Sequence, residues 1–179
     1  DKAWAEEAGL GWIGKHSNVI NSQRGSWMLI GHLLTTEPLV ADAPARSLCG
    51  RCSACIDACP TTAIREPFVV DSNRCLAYHT IENRESKLPE AIRTALGPWI
   101  AGCDICQDVC PWNHRNLPVS EEPELQPKAW MLDLKRDDLL QWDDATWDER
   151  LRGSALRRIK PWMWRRNATA AEPDQAPTL

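Results

Sequence analysis

Eight cysteines carry the chemistry that can be read directly from this 179-residue chain, and all lie between Cys49 and Cys110. The first four, in 49-CGRCSACIDACP-60, have the spacing C-x2-C-x2-C-x3-C and are followed by Pro60. Two-residue gaps let three thiolates point inward from one tight loop onto one face of an iron–sulfur cube. The fourth, at the start of a helical turn, faces away and suits a second cube. A second set, Cys75, Cys103, Cys106 and Cys110, ends in the same C-x2-C-x3-C-P pattern, its first member standing 28 residues upstream of the next. A crossed arrangement follows as the expectation. Cys49, Cys52, Cys55 and Cys110 hold one [4Fe–4S] cluster, and Cys59, Cys75, Cys103 and Cys106 hold the other. Disulfides would need an oxidising compartment, and no export signal is evident. Zinc could take Cys52 and Cys55 with Cys103 and Cys106, but it would strand the other four and leave both Cys-Pro endings unexplained. The spacing names a cofactor and not a function, because two-cluster modules serve both as free ferredoxins and as wires inside larger enzymes.

The flanks must position and employ this module. Residues 2–8 read as a short helix closed by Gly9, followed by the loop 9-GLGWIGKHS-17. Its glycines would let backbone approach a bulky ligand, with Lys15 and His16 adding polar groups; a tight helix-to-strand turn explains them as well. Residues 18–21 and 26–36 read as two strands around a turn at 22–25, although periodicity leaves a helix open for the second. Pro38 and 42-DAPA-45 form a linker. Inside the cysteine region, 67–71 reads as a strand, and 74–82 and 89–96 as helices. Residues 111–128 are loop-like, and the chain is helical from about 130, with an acidic stretch at 135–151 and a basic one at 150–171. The tail 172–179 has no periodicity. The formal net charge of −4 argues against wholesale non-specific nucleic-acid binding while leaving room for a local basic face. Ten tryptophans stand against one Phe and one Tyr, which suits packing. No run of eighteen apolar residues is present, so no membrane span is expected and a cytoplasmic location is. Because the chain starts at Asp1 rather than Met, an upstream portion is expected to be missing.

In order along the chain, 8-AGLGWIGK-15, 25-GSW-27, CGRCSACIDACPTTAI, NRCLAY, GCDICQDVCPWN and RGSALRRI together resemble epoxyqueuosine reductase. Members of that family are cobalamin-dependent enzymes that complete queuosine at the tRNA wobble position. The resemblance reaches about residue 167, and the GLGWIGK loop with GCDICQDVCPWN is its most specific part. It implies an α+β architecture for a C-terminal portion of the enzyme. Residues 1–46 would be a remnant of a cobalamin-binding, reductive-dehalogenase-like domain, 47–116 an embedded two-cluster ferredoxin-like module, and 117–179 a helical, HEAT-like tRNA-binding start.

By the same resemblance Gly14, Lys15, His16 and Ser17 would face the corrin, with Gly25, Tyr78, Cys103 and Asp104 beside it. The basic stretch would meet tRNA through Arg152, Arg157, Arg158 and Lys160, against the plainer reading of a solvated helix paired with the acidic stretch. His32 and His79 read as structural or surface residues. The general-acid aspartate of the family would lie upstream of Asp1, so the chain alone is expected to turn over weakly or not at all. The implied partners are tRNA carrying epoxyqueuosine and an external electron donor, with a monomeric enzyme. Two rivals remain: an electron-transfer module of another redox enzyme, and a relative of reductive dehalogenases acting on a small organohalide.

Overall fold

The structure, a computed structural model, describes residues 1–171; the unpatterned tail 172–179 lies outside the described residues. Two compact units emerge, one built from Asp1–Asp71 with Asp104–Val119, the other from Ser72–Cys103 with the chain from Ser120 onward. The ferredoxin-like stretch 47–116 therefore contributes to both units. The three-part division 1–46, 47–116 and 117–179 describes expected roles rather than these compact bodies.

The first unit opens with α1 (Lys2–Glu7), which ends where Gly9 turns the chain at φ +66°. A small antiparallel hairpin follows, β1 (Trp12–Ile13) paired with β2 (Val19–Ile20) in the register Trp12↔Ile20 and Ile13↔Val19. Its connection is closed by Gly14 N–H to Asn18 C=O and Ser17 N–H to Gly14 C=O, both at 2.8 Å. Asn21 and Gly25 then bridge across the turn at 22–24. Two one-turn helices, α2 (Ala54–Asp57) and α5 (Ile105–Asp108), lie against each other, and β3 (Ile64–Glu66) pairs with β4 (Val69–Val70).

The second unit is helical. It comprises α3 (Leu76–Ile81), α4 (Glu90–Thr94), α6 (Ala129–Leu132), α7 (Arg136–Gln141), α8 (Asp144–Leu151) and α9 (Pro161–Ala170). Pro161 occupies the first position of α9, where its missing N–H costs nothing. Met163, Trp164, Asn167 and Ala168 form the buried face of α9 against Leu139, Trp142, Leu151 and Ile159. Trp142 sits 5.8 Å from Trp130 and 5.7 Å from Trp164, centroid to centroid, so three of the ten tryptophans are core packing. The fully buried Asn167 amide donates to the carbonyls of Thr80 and Ile100, 2.8 Å each.

Two sequence expectations are corrected here. The first strand of the hairpin, 12–13, forms inside the stretch read as loop, while the second, 19–20, lies within the expected strand 18–21; the pair closes its own backbone hydrogen bonds. Residues 27–36 adopt neither strand nor helix. Their apolar composition favours a strand, but among the described residues no neighbouring strand pairs with them.

Candidate iron–sulfur site

Thiols from two distant stretches meet in the first unit. Cys49, Cys52, Cys55 and Cys110 line one cavity, and Lys15, His16, Ile20, Pro111 and Trp112 complete its wall. The first loop is tightened by Cys52 N–H to Cys49 C=O at 3.2 Å, and Cys55 lies within α2. Cys110 follows α5 and is directed by Pro111, which opens a short 3-10 turn. The packing of α2 on α5 brings the two runs together.

Burial holds the two most enclosed thiols of this pocket toward the protonated form. Burial, with added repulsion from Cys110, Cys49 and Cys52, pushes the Cys55 thiol up to about 11. Burial also raises Cys110, while the backbone N–H groups of Trp112 and Asn113 pull it partly back. Such thiols become thiolates together only when metal ions neutralise them. Behind them Trp12, Ile20 and Cys110 form an apolar cluster, with Trp12 and Trp112 edge to face at 4.9 Å. Among the described residues no three Cys, His, Asp or Glu side chains could hold a single ion. The four thiols instead ring a volume, which a polynuclear cluster with four cysteine ligands requires.

The GLGWIGKHS loop reaches this pocket from outside the cysteine run. Lys15 Nζ donates to the carbonyls of Gly50 (2.9 Å) and Cys52 (2.7 Å) and so fastens the first cysteine loop to the hairpin. His16 is buried, and burial lowers its pKa. Its Nδ1 accepts the N–H of Asn18 at 3.2 Å, while its Nε2 has no hydrogen-bond partner among the described residues. Ser17 takes the left-handed conformation that closes the turn, φ +65°. At Gly14 a side chain would meet Ile20 Cδ1 at 2.6 Å. At Gly25 (φ +66°) it would meet Asn113 Oδ1 at 2.2 Å in a left-handed backbone, so glycine is required there, whereas the clash at Gly14 is with the movable end of Ile20.

The other expected site residues are distributed as follows. Cys59 does not line the cavity; its sulfur accepts the Ala63 N–H at 3.2 Å. Cys106 lies in α5 of the first unit, and Cys75, at the N-terminus of α3, and Cys103 lie in the second. Asp104 stands at the N-cap position of α5 without a capping bond. Its carboxyl is raised by burial and by Asp108, against a 3.4 Å hydrogen bond from Gln107. Tyr78 is part-exposed, its ring edge-on to His79. His79 is held by Asn73 C=O (2.8 Å) and Asn83 Nδ2 (2.9 Å), and His32 lies 3.9 Å from Asp1.

In the basic stretch, Arg152 and Arg157 both pair with Asp148, and Arg158 pairs with Glu82 at 2.6 Å. Lys160 lies 6.0 Å from the Trp147 ring. All four remain on the surface, where such pairs are weak and exchangeable. Arg165 and Arg166 turn inward instead. Arg165 donates to Trp142 C=O, and Arg166 to the carbonyls of His79, Asn83 and Glu85.

Sequence reasoning missed the polar knot that ties the GSW turn to the second cysteine run. Ser26 N–H donates to Asn113 Oδ1 (2.7 Å), Ser26 Oγ to Gln107 Oε1 (2.8 Å), and Asn113 Nδ2 to Ser26 Oγ and Gln107 C=O (2.8 Å each). The available signal was that Asn113 ends GCDICQDVCPWN and Ser26 sits in the other quoted motif.

Residues 48–113 match the profile of a 4Fe-4S double cluster binding domain. Over all 179 residues the chain is 76% identical to an epoxyqueuosine reductase of Synechococcus sp. (strain CC9605), covering 56% of that protein. Against an epoxyqueuosine reductase of Aliivibrio fischeri it is 42% identical over 171 residues, 96% of this chain and 46% of the relative. The chain belongs to the epoxyqueuosine reductase family. It spans about half the length of the curated relatives it matches. Two solved structures extend the likeness to the fold. The epoxyqueuosine reductase of Bacillus subtilis, with its catalytic aspartate loop swung out of the active site, superposes with a TM-score of 0.87 at 30% identity, over 95% of this chain and 45% of that one. An epoxyqueuosine reductase crystallised with an epoxyqueuosine-modified tRNA-Tyr stem loop gives 0.88 at 30% identity, over 95% and 44%. The matches support a helix-dominated mixed fold with a double-cluster module. No helix among the described residues is long and apolar enough to cross a membrane.

Proposed function

We propose that the protein to which this chain belongs reduces epoxyqueuosine to queuosine in tRNA, and that this chain supplies the electron relay and part of the surface around the reaction centre. The observation that carries the reading is the cavity in which Cys110 joins Cys49, Cys52 and Cys55 against the GLGWIGKHS loop. Those four thiols are the proposed ligands of the first [4Fe–4S] cluster. Cys59, Cys75, Cys103 and Cys106 are, from their spacing, the proposed ligands of the other. The relatives' names support the substrate, and the tRNA-bound relative supports a tRNA partner contacted here by Arg152, Arg157, Arg158 and Lys160. An external donor would supply the electrons.

Removing the epoxide oxygen takes two electrons and two protons and releases water, so two one-electron carriers match the stoichiometry. Bound cobalamin would supply the low-potential two-electron chemistry. The cobalamin-facing residues carried by the resemblance are Gly14, Lys15, His16, Ser17, Gly25, Tyr78, Cys103 and Asp104. Of these, the raised Asp104 carboxyl and the part-exposed Tyr78 hydroxyl offer polar groups suited to a cofactor edge. The remaining contributions of the chain are structural: Lys15 holds the cysteine loop, and the Trp12–Trp112 pair packs against the buried Cys110. The family's helical HEAT-like region and the remnant cobalamin domain are part of the same proposal.

Anaerobically prepared chain should hold about eight irons. Cys110→Ser should disrupt the cluster anchored by Cys49 and leave the other intact. The full-length protein should convert an epoxyqueuosine-bearing stem loop only with cobalamin and reductant present. Iron-replete protein that leaves that substrate unchanged, yet binds no tRNA, would instead favour an electron-transfer module of another enzyme.

A further inference from the structure

We propose that His16 is a positioning and tuning residue of the first iron–sulfur cluster, donating a hydrogen bond from Nε2–H to a sulfur of that cluster or of its cysteine ligands. The proposal rests on the two-cluster reading and goes beyond it, because it assigns a control element that lies 33 residues before the first cysteine.

The tautomer follows from the hydrogen bonds. Nδ1 accepts the Asn18 N–H at 3.2 Å, so in the neutral ring the proton sits on Nε2. The imidazole is only 4% exposed, and an Nδ1 that accepts a hydrogen bond carries no proton, so the ring is neutral. Nε2 thus carries a buried N–H with no protein acceptor among the described residues. Leaving such a donor unsatisfied is costly, and native structures rarely do so without a bound partner. His16 lines the same cavity as Cys49, Cys52, Cys55 and Cys110, which points Nε2–H to the cluster rather than to the corrin that the resemblance would have it face. Trp12 Nε1 is also buried and unpartnered, but Trp12 belongs to the apolar cluster behind the thiols and does not line the cavity.

The loop is built to hold the ring there. A Cβ at position 14 would stand 3.1 Å from His16 Cε1, the ring carbon next to Nε2, so Gly14 leaves the space the imidazole fills. Lys15, the residue between them, clamps the first cysteine loop through Gly50 and Cys52. Ring and cysteine loop are therefore fixed to the same turn. An N–H donated to cluster sulfur stabilises the extra negative charge of the reduced state and raises the reduction potential. A neutral donor does so without adding a charge to the pocket.

The test is an EPR-monitored redox titration of the anaerobic, cobalamin-free chain, comparing the native sequence with His16→Leu and His16→Gln. In His16→Leu the first cluster should become harder to reduce by about tenfold in its reduction equilibrium, close to 59 mV for one electron, while the second cluster keeps its potential. His16→Gln, which retains a donor, should recover most of the shift. An unshifted potential with both clusters loaded, or equal shifts in both clusters, would overturn the assignment. The native chain labelled with 15N-histidine supplies a readout independent of folding of the variants: pulsed EPR of the reduced first cluster should show a histidine 15N coupling, and its absence overturns the hydrogen bond. Native protein that binds no first cluster at all overturns the two-cluster reading itself, a result distinguishable by its iron content.

Discussion

Two neighbouring segments of the first unit behave in opposite ways. Residues 9–27 contain four glycines and several polar residues, yet they bury Trp12, His16, Val19, Ile20 and Ser26. Residues 28–40 are far more apolar, yet Leu29, Leu33, Leu34, Leu39 and Val40 are 77–96% exposed. The difference lies in backbone closure. In the first segment the hairpin register, the Gly14–Asn18 turn, the Asn21–Gly25 bridge and the Asn21 side chain on Leu10 C=O satisfy the main chain locally. In the second, the described bonds are the short-range Met28 N–H to Ser26 C=O and Glu37 N–H to Thr35 Oγ1. Apolar side chains give a segment a reason to be covered, but only paired backbone gives it a shape.

Substitutions can break or sharpen that contrast. The largest effect is expected at Gly11, where a Cβ would lie 2.3 Å from Ile20 C=O, a backbone atom that cannot swing aside. Gly11→Val should cost about 3 kcal/mol or more and abolish iron uptake at the first site, read by denaturation midpoint and iron analysis. Gly25→Ala combines the clash with Asn113 with a left-handed backbone and should cost about 2 kcal/mol; an unchanged midpoint would show that the polar knot is slack. Lys15→Met removes two hydrogen bonds from an ammonium to the cysteine loop. A loss of about 1 kcal/mol and several-fold faster iron release to a chelator are expected. The smallest effect belongs to the second segment: Leu33→Asp with Leu34→Asp should alter stability by less than about 0.5 kcal/mol while reducing self-association in light scattering. A large destabilisation there would mean that the segment is covered after all.

The legible parts of this molecule were those whose chemistry is local. Cysteine spacing pointed to clusters because each ligand loop is short and its geometry is set by neighbours in sequence. α1 and α4 announced themselves through their flanking Gly and Pro. β1 was hidden because Trp12 and Ile13 stand between glycines and make a strand only by pairing with β2. The knot of Ser26, Gln107 and Asn113 joins positions more than 80 residues apart and leaves no periodic trace. Arg165 and Arg166 read as part of one basic face with Arg157 and Arg158, but charge alone does not tell which way a side chain points. Their carbonyl partners turn them into the fold.

The position of Cys110 has a consequence for time as well as for space. Three of the four thiols in the cavity lie within seven residues, and the fourth is 61 positions beyond Cys49. At a synthesis rate of roughly 5–20 residues per second, the proposed ligand set stays incomplete for about 3 to 12 seconds before Cys110 is made. Through that interval the first cysteine loop has to be kept reduced. A cluster held as proposed would staple the two ends of the intervening chain, so its loss to oxygen would unfasten the unit as well as break the proposed electron path.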